Sequence, residues 1–311
     1  MRKAGWLMAG AVVLAGCSAP LEHHIEATQP VAAAAPAAVP GVVLPDTEAL
    51  VAHDPAGRDY PVWVALPADY AAHPEKRYPV LYVTDALYSF PLARSVRNLA
   101  GQKGVNIEDF ILVGLPPQEG LSSKASRSRD YTPSNPARTD PRDYSDDVEY
   151  GGAAHYRDFL ATQVLPMIDA HYRTDPARRA YAGHSYGGLF GAYVLNTRPD
   201  LFQTYILSSP SLWFDGHLVA RQRGEAAAPT RPTTVLLSVG SYETIKPGPR
   251  YFRHNDLLRG NVDYAQLLRG QRGITVETSV VDGEDHFTVY PTVITRALLR
   301  AFPGKGPYSS G

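Results

Sequence analysis

RRAYAGHSYGGLFGAYVLNTRPD, residues 178–200, sets one serine between glycines, after an apolar run and ahead of helical spacing. Within it GHSYGG (183–188) fits the pattern G-x-S-x-G. In that pattern a sharp strand-to-helix turn holds the serine, here Ser185, in a strained backbone conformation with its hydroxyl exposed. Glycines two positions to either side keep the strand and the helix from colliding. The N-terminus of the following helix turns amides and a positive dipole end toward the place where an oxyanion would form. The bare pattern also describes an ordinary glycine turn. The flanks separate the two readings: RRAYAG reads as a strand and LFGAYVLNTRP as a helix, so Ser185 is expected to be a nucleophile.

Working outward, the same alternation continues. YPVWVALP (60–67), YPVLYVT (78–84), FILVGL (110–115), RAYAG (179–183), TYILSS (204–209), TVLLSVG (234–240) and ITVETSVV (274–281) read as strands. Several are apolar throughout, as parallel strands buried on both faces should be. AAHYRDFLATQVLPMIDAHY, YGGLFGAYVLNTRP and YPTVITRALLRAF carry helical spacing between them. Strand, helix, strand in this order predicts one α/β sheet with helices on both faces. Residues 116–150 break the rhythm with many charges, five prolines and no apolar period. A loop of that length inside one domain is expected to form the rim of a site.

A serine hydroxyl needs a base to take its proton. Of the ten histidines, His23 and His24 fall in an Ala/Pro-rich leader, and His53, His73, His155, His171, His217 and His254 in loops or on helix faces. His184 adjoins the serine, where neighbours on an elbow point apart. His286, in VVDGEDHFTVYPTV, follows the last strand at the carboxyl edge of the sheet, where α/β sheets build their sites. It is the expected base. The acid should follow the preceding strand, giving the order serine, acid, histidine. TVLLSVGSYET supplies Glu243 there, and Asp256 in RHNDLLRG competes with it. One oxyanion donor should be the amide of Tyr186. The second should come from VLYVTDALYSF, as the amide of Ala86 or of Leu87.

The bulk composition is consistent with this. The 311 residues are 44% hydrophobic and 20% charged, with a formal charge of -1, so no global field draws the chain to nucleic acid. No ligand cluster or phosphate-cradling glycine loop is evident, and no metal or organic cofactor is expected. The single cysteine, Cys17, permits no internal disulfide. Its setting, MRKAGWLMAGAVVLAGCSAP, has Arg2 and Lys3, then an apolar run short of the roughly 20 residues of a bilayer span. LAGC (14–17) resembles a bacterial lipobox, in which the cysteine is lipidated. Residues 1–17 are thus expected to be a lipoprotein signal peptide, 18–45 an extended tether, and 46–304 the α/β domain. Ser18 after the cysteine points by the same resemblance to the outer membrane, with the domain facing the periplasm.

GRDYPVWVALPADY, KRYPVLYVTDALYSF, SRSRDYTPS, FLATQVLPMIDAHYRT, the long block from GHSYGG to SLWF, and GEDHF together resemble the putative-esterase (esterase D) family of α/β hydrolases. Within it they resemble most the branch of trilactone siderophore esterases. The resemblance spans about residues 50–300. It implies the α/β-hydrolase fold, a mostly parallel central sheet with helices on both faces. It also implies Ser185 and His286 as the catalytic pair with an acid near Glu243. The implied activity is cleavage of a small-molecule carboxylic ester through an acyl-enzyme, with a siderophore as one substrate. Acetyl or feruloyl esterases and acyltransferases share the fold, and a non-catalytic surface protein is a more distant reading. RSRDYTP (Arg127, Arg129, Asp130) and SPSLWF (Ser211, Trp213) are implied to shape the pocket. Arg127 and Arg129 would either hold an anionic substrate or form structural ion pairs, and Trp213 would either stack on substrate or pack in the core. Where the family usually has aspartate then glycine, this chain has Asp85 and Ala86, and the added methyl is expected to narrow the acyl side.

Overall fold

The computed structural model describes residues 43–136, 144–223, 226 and 228–306. Cys17, the expected signal peptide and nearly all of the expected tether lie outside the described residues. The strands are β1 (Thr47–Asp54), β2 (Arg58–Ala65), β3 (Tyr78–Thr84), β4 (Ile111–Leu115), β5 (Thr174–His184), β6 (Thr204–Ser208), β7 (Thr233–Gly240) and β8 (Ile274–Val281). They form one sheet in the order β1-β2-β4-β3-β5-β6-β7-β8. The β1–β2 and β2–β4 pairs are antiparallel and the rest parallel. Every residue of β3 and β4 is buried, which explains why these strands read as unbroken apolar runs.

The helices are α1 (Ala86–Ala100), α2 (Ser123–Asp130), α3 (Ala153–Phe159), α4 (Leu165–His171), α5 (Tyr186–Thr197), α6 (Phe214–Gln222), α7 (Leu257–Arg269) and α8 (Val289–Ala301). A π turn, Leu160–Val164, joins α3 to α4 directly before Pro166, whose missing amide interrupts the normal ladder. Each face of the sheet has its own apolar core. Phe90 of α1 and Ile294 and Leu298 of α8 pack with Leu81, Val83 and Ile206 on one side. Tyr156, Phe190, Phe214 and Tyr264, from α3, α5, α6 and α7, pack with Tyr82, Val113 and Tyr205 on the other. This is the expected mostly parallel sheet with helices on both faces.

The sequence pattern did not announce β1, α1, α2, α6 or α7. β1 is a half-exposed edge strand, TEALVAHD, in which only Ala52 and Asp54 are buried. α2 lies within residues 116–150, and the residues it buries, Ser126, Ser128, Arg129 and Asp130, are polar. It therefore carries no hydrophobic period. Ser122 caps it by accepting from the Ala125 amide at 3.1 Å.

The topology sets the position of the site. From β3 the chain crosses through α1 to β4 on one side, while β5 lies on the other. Strand order reverses there, opening a crevice beyond the carboxyl ends of β3 and β5. Val83 pairs with Ala182, so the turns after the two strands emerge side by side.

Candidate active site

Ser185 occupies the turn between β5 and α5 at φ 58° and ψ −117°. A left-handed φ is costly for a serine, and three backbone bonds hold it. The Ser185 amide donates to Ser208 O at 3.0 Å, and its carbonyl accepts from Ser211 N at 3.1 Å and Leu189 N at 2.9 Å. The flanking glycines have no room for a side chain. A Cβ on Gly183 would lie 2.4 Å from the Gly187 carbonyl, and one on Gly187 would lie 2.5 Å from Thr84 Oγ1. The start of α5 is thus pressed against the turn that follows β3.

That turn carries the other expected donors. Asp85 precedes α1 at φ 52°, so Ala86 and Leu87 open one helix as Tyr186 opens the other. Both positive helix ends face the crevice region. Two side chains fix the Asp85 carboxylate through three hydrogen bonds. Arg127 Nε donates to Oδ1 at 3.0 Å and Nη2 to Oδ2 at 3.2 Å, and the Tyr88 hydroxyl donates to Oδ2 at 3.2 Å. Burial opposes the charge on Arg127, but the Asp85 carboxylate outweighs it and holds the guanidinium above its usual pKa. The Ala86 methyl does not narrow the site as expected. It is fully buried beneath α1, where a Cβ on Gly114 of β4 would approach it to 3.0 Å.

His286 lies in the turn before α8 and lines the same cleft as Ser185. Its Nδ1 is 2.6 Å from Glu243 Oε2. Glu243 is fully buried after β7, and its Oε1 accepts from Gly240 N at 2.8 Å and from Ser209 Oγ at 2.5 Å. An ionised carboxylate so deep is tolerable because both oxygens are hydrogen-bonded. Asp256 is engaged elsewhere. It caps α7 through Arg259 N at 2.8 Å and accepts from Thr244 Oγ1 at 2.9 Å. The carboxylate that meets the imidazole is therefore Glu243. Ser209 was not singled out from the sequence, because only the fold brings the residue that follows β6 to the turn after β7.

His184 does point away from the cleft, as neighbours on an elbow should, but it stays near His286. Its ring centroid is 4.6 Å from that of His286 and 5.5 Å from that of Tyr290. Burial, with the His286 imidazole second, depresses its pKa to about 3.

The cleft has a volume of about 680 Å³. Arg127, Ser211 and Trp213 line it, the Ser211 hydroxyl 3.4 Å from Ser185 Oγ. The Trp213 ring sits 6.3 Å from that of Tyr186 and 6.2 Å from that of Tyr144. Arg129 is a correction to the expected pocket. It is buried, with Nε 2.7 Å from Asp130 Oδ1 and Nη2 donating to the Tyr60 hydroxyl at 2.9 Å and Gln118 Oε1 at 2.8 Å. On a helix, residues two apart face different ways, so Arg127 reaches the cleft and Arg129 the interior. Two lining groups were not anticipated. Lys124 comes from α2, and Phe252, Arg253, His254 and Asn255 come from the loop between β7 and α7. No carboxylate is among the described lining residues.

A family model described as putative esterase matches residues 54–296. The chain is 30% identical over 264 residues to the ferri-bacillibactin esterase BesA of Bacillus subtilis, covering 81% of this chain and 88% of that one. It is 27% identical over 294 residues to the siderophore triacetylfusarinine C esterase of Aspergillus fumigatus, with 87% and 98% covered. Among solved structures, the siderophore hydrolase EstB from Aspergillus nidulans superposes with a TM-score of 0.69 at 26% identity, covering 85% of this chain and 98% of that one.

Proposed function

The chain belongs to the putative-esterase family and is a serine hydrolase of carboxylic esters; from that premise we propose that it works through an acyl-enzyme on a siderophore ester. The observation that carries the mechanism is the 2.6 Å contact between His286 Nδ1 and Glu243 Oε2 in the cleft that holds Ser185. With Nδ1 committed to the carboxylate, Nε2 is the nitrogen left to act as base. Ser185 Oγ attacks the ester carbonyl carbon as Nε2 takes its proton, and Glu243 stabilises the imidazolium. The carbonyl oxygen becomes an oxyanion held by the Tyr186 amide and by that of Ala86 or Leu87. Collapse breaks the ester C–O bond, and the imidazolium returns its proton to the departing alkoxide. Water then attacks the acyl-enzyme by the same route and frees the acid and Ser185.

Two features support the siderophore reading. The relatives named above act on siderophores by name. The cleft combines a net positive charge with Tyr144, Tyr150, Trp213 and Phe252, and no described carboxylate, a lining suited to an anionic ester bearing aromatic rings. Ser185→Ala should lower turnover of a ferric trilactone siderophore and of short acyl esters about 10⁴- to 10⁶-fold. Wild-type turnover in that variant would reject the nucleophile.

The LAGC motif supports a further part of the proposal, that Cys17 carries lipid and holds the domain at the cell envelope. Full-length chain expressed in bacteria should incorporate labelled palmitate, and Cys17→Ser should not. Equal labelling of both would reject the anchor.

A further inference from the structure

Three cations line the cleft beside Ser185, and two of them are neutralised from within the chain. Lys124 Nζ lies 2.9 Å from Asp147 Oδ1 and 2.7 Å from Ser145 Oγ. Arg127 is bound to both oxygens of Asp85. Arg253 differs. It is exposed at the cleft wall and has no ion pair or hydrogen bond among the described residues.

The loop that presents Arg253 is held at several points. Ile245 pairs with Phe252 in an isolated bridge, and Thr244 Oγ1 bonds Asp256 at 2.9 Å, which closes the loop on both sides of Arg253. Arg250 Nη2 donates to Asp285 Oδ2 at 3.0 Å, one residue before His286. The Phe252 ring centroid is 5.8 Å from that of His286. Arg253 therefore follows a residue packed on the base itself. A guanidinium with no internal counter-ion, in a concave site with no described carboxylate, leaves its charge to be answered by whatever binds.

We infer that Arg253 is the residue by which this site selects esters that carry a negatively charged oxygen, carboxylate or phenolate, close to the scissile bond. This rests on the esterase reading and adds to it the charge of the substrate and the residue that reads it. The planar fork of Arg253 offers paired donors to such an oxygen group. Its effect belongs in KM more than in kcat, because the charge it reads is present before and after attack.

The test uses the purified full chain and two matched ester pairs. On the acyl side, mono-para-nitrophenyl succinate is compared with para-nitrophenyl butyrate. On the alcohol side, para-acetoxybenzoate is compared with phenyl acetate. The quantity read is the ratio of kcat/KM for the anionic ester to that for its neutral partner. In at least one pair, Arg253→Gln should lower this ratio about tenfold, chiefly through KM, and Arg253→Lys should keep most of it. The wild-type ratio should shrink as salt rises from about 0.05 to 0.5 M. Lys124→Gln, whose charge Asp147 already answers, should change it less than about twofold.

Wild-type ratios in Arg253→Gln for both pairs would overturn the inference, as would an equal fall in Lys124→Gln. The two failures are distinguishable. If Ser185→Ala keeps turnover of the neutral esters, the esterase reading falls and this one with it. If the wild type cleaves both members of each pair through Ser185 and only the ratios fail to move, the esterase reading stands and the role of Arg253 does not.

Discussion

Ser185 and His184 are adjacent in sequence and opposite in chemistry. Ser185 stores backbone strain, on the order of 1–3 kcal/mol for such a conformation, to present its hydroxyl to the cleft. His184 turns inward, with Nδ1 3.2 Å from Ser208 Oγ and its ring against that of His286. A charged His184 would repel the imidazolium that the proposed mechanism places on His286, and burial keeps it neutral. The sign of the linked stability follows. Its pKa is about 3 when folded and about 6.5 when unfolded, so the unfolded chain binds the extra proton. The stability is fully present above 6.5 and is lost as pH falls from there toward 3. Between pH 6.5 and 5 the loss should be about 1.5 kcal/mol from this group. His184→Gln should remove that share. Urea unfolding at the two pH values should show a smaller decline in the variant than in the wild type. Equal declines would mean that carboxylates alone drive acid unfolding. The sequence showed His184 beside the nucleophile and Glu243 after β7, because both follow from strand order. It did not show that His184 would floor the base, since side-chain direction at an elbow depends on a backbone twist the residue string does not encode.

The strands were the most legible elements in the sequence. YPVLYVT, buried throughout, matched β3 residue for residue, and ITVETSVV matched β8 as closely although that edge strand has no fully buried residue. α2 was illegible because its buried face is held by hydrogen bonds rather than by apolar spacing, yet it delivers Arg127 to Asp85 across 42 positions of sequence. The contact between α5 and the β3 turn is likewise invisible locally, although it sets the spacing of the two helix ends proposed to bind the oxyanion. Gly187→Ala tests that spacing. The new Cβ would meet Thr84 Oγ1 at 2.5 Å, too close for either to stay in place. The variant should lose about 1–3 kcal/mol of stability and about 10- to 100-fold in kcat with a smaller change in KM. Thr84→Ala should restore much of the kcat in the double variant, because it removes the atom that is struck. If the double variant remains as slow as Gly187→Ala alone, helix spacing is not what the glycine protects.

At the scale of the molecule, one sheet edge gathers parts from the whole chain. Residues after β3, β5, β6, β7 and β8 meet there, while α2 and the loop between β7 and α7 close the sides. The succession of strands along the chain was readable apart from β1, and so were the places of Ser185, His286 and Glu243 at the carboxyl edge of the sheet. The cleft walls were not, because charge pairing decides them. Arg127 and Arg129 look equivalent in RSRDYTP, and only the sheet behind α2 separates the cation at the cleft from the one beneath it. Arg129 ties α2 to Asp130, to Tyr60 of β2 and to Gln118, so it joins the cleft wall to the antiparallel edge of the sheet. Removing it leaves the Asp130 carboxylate buried without its charge partner. Arg129→Ala should therefore cost about 3–5 kcal/mol in urea unfolding, and Arg129→Met with Asp130→Leu should recover most of it, since replacing both members of a buried pair by apolar groups removes the desolvated charge. A residue that bound substrate instead would behave differently: Arg129→Ala would raise KM for an anionic ester at wild-type stability, and the added Asp130→Leu change would rescue nothing.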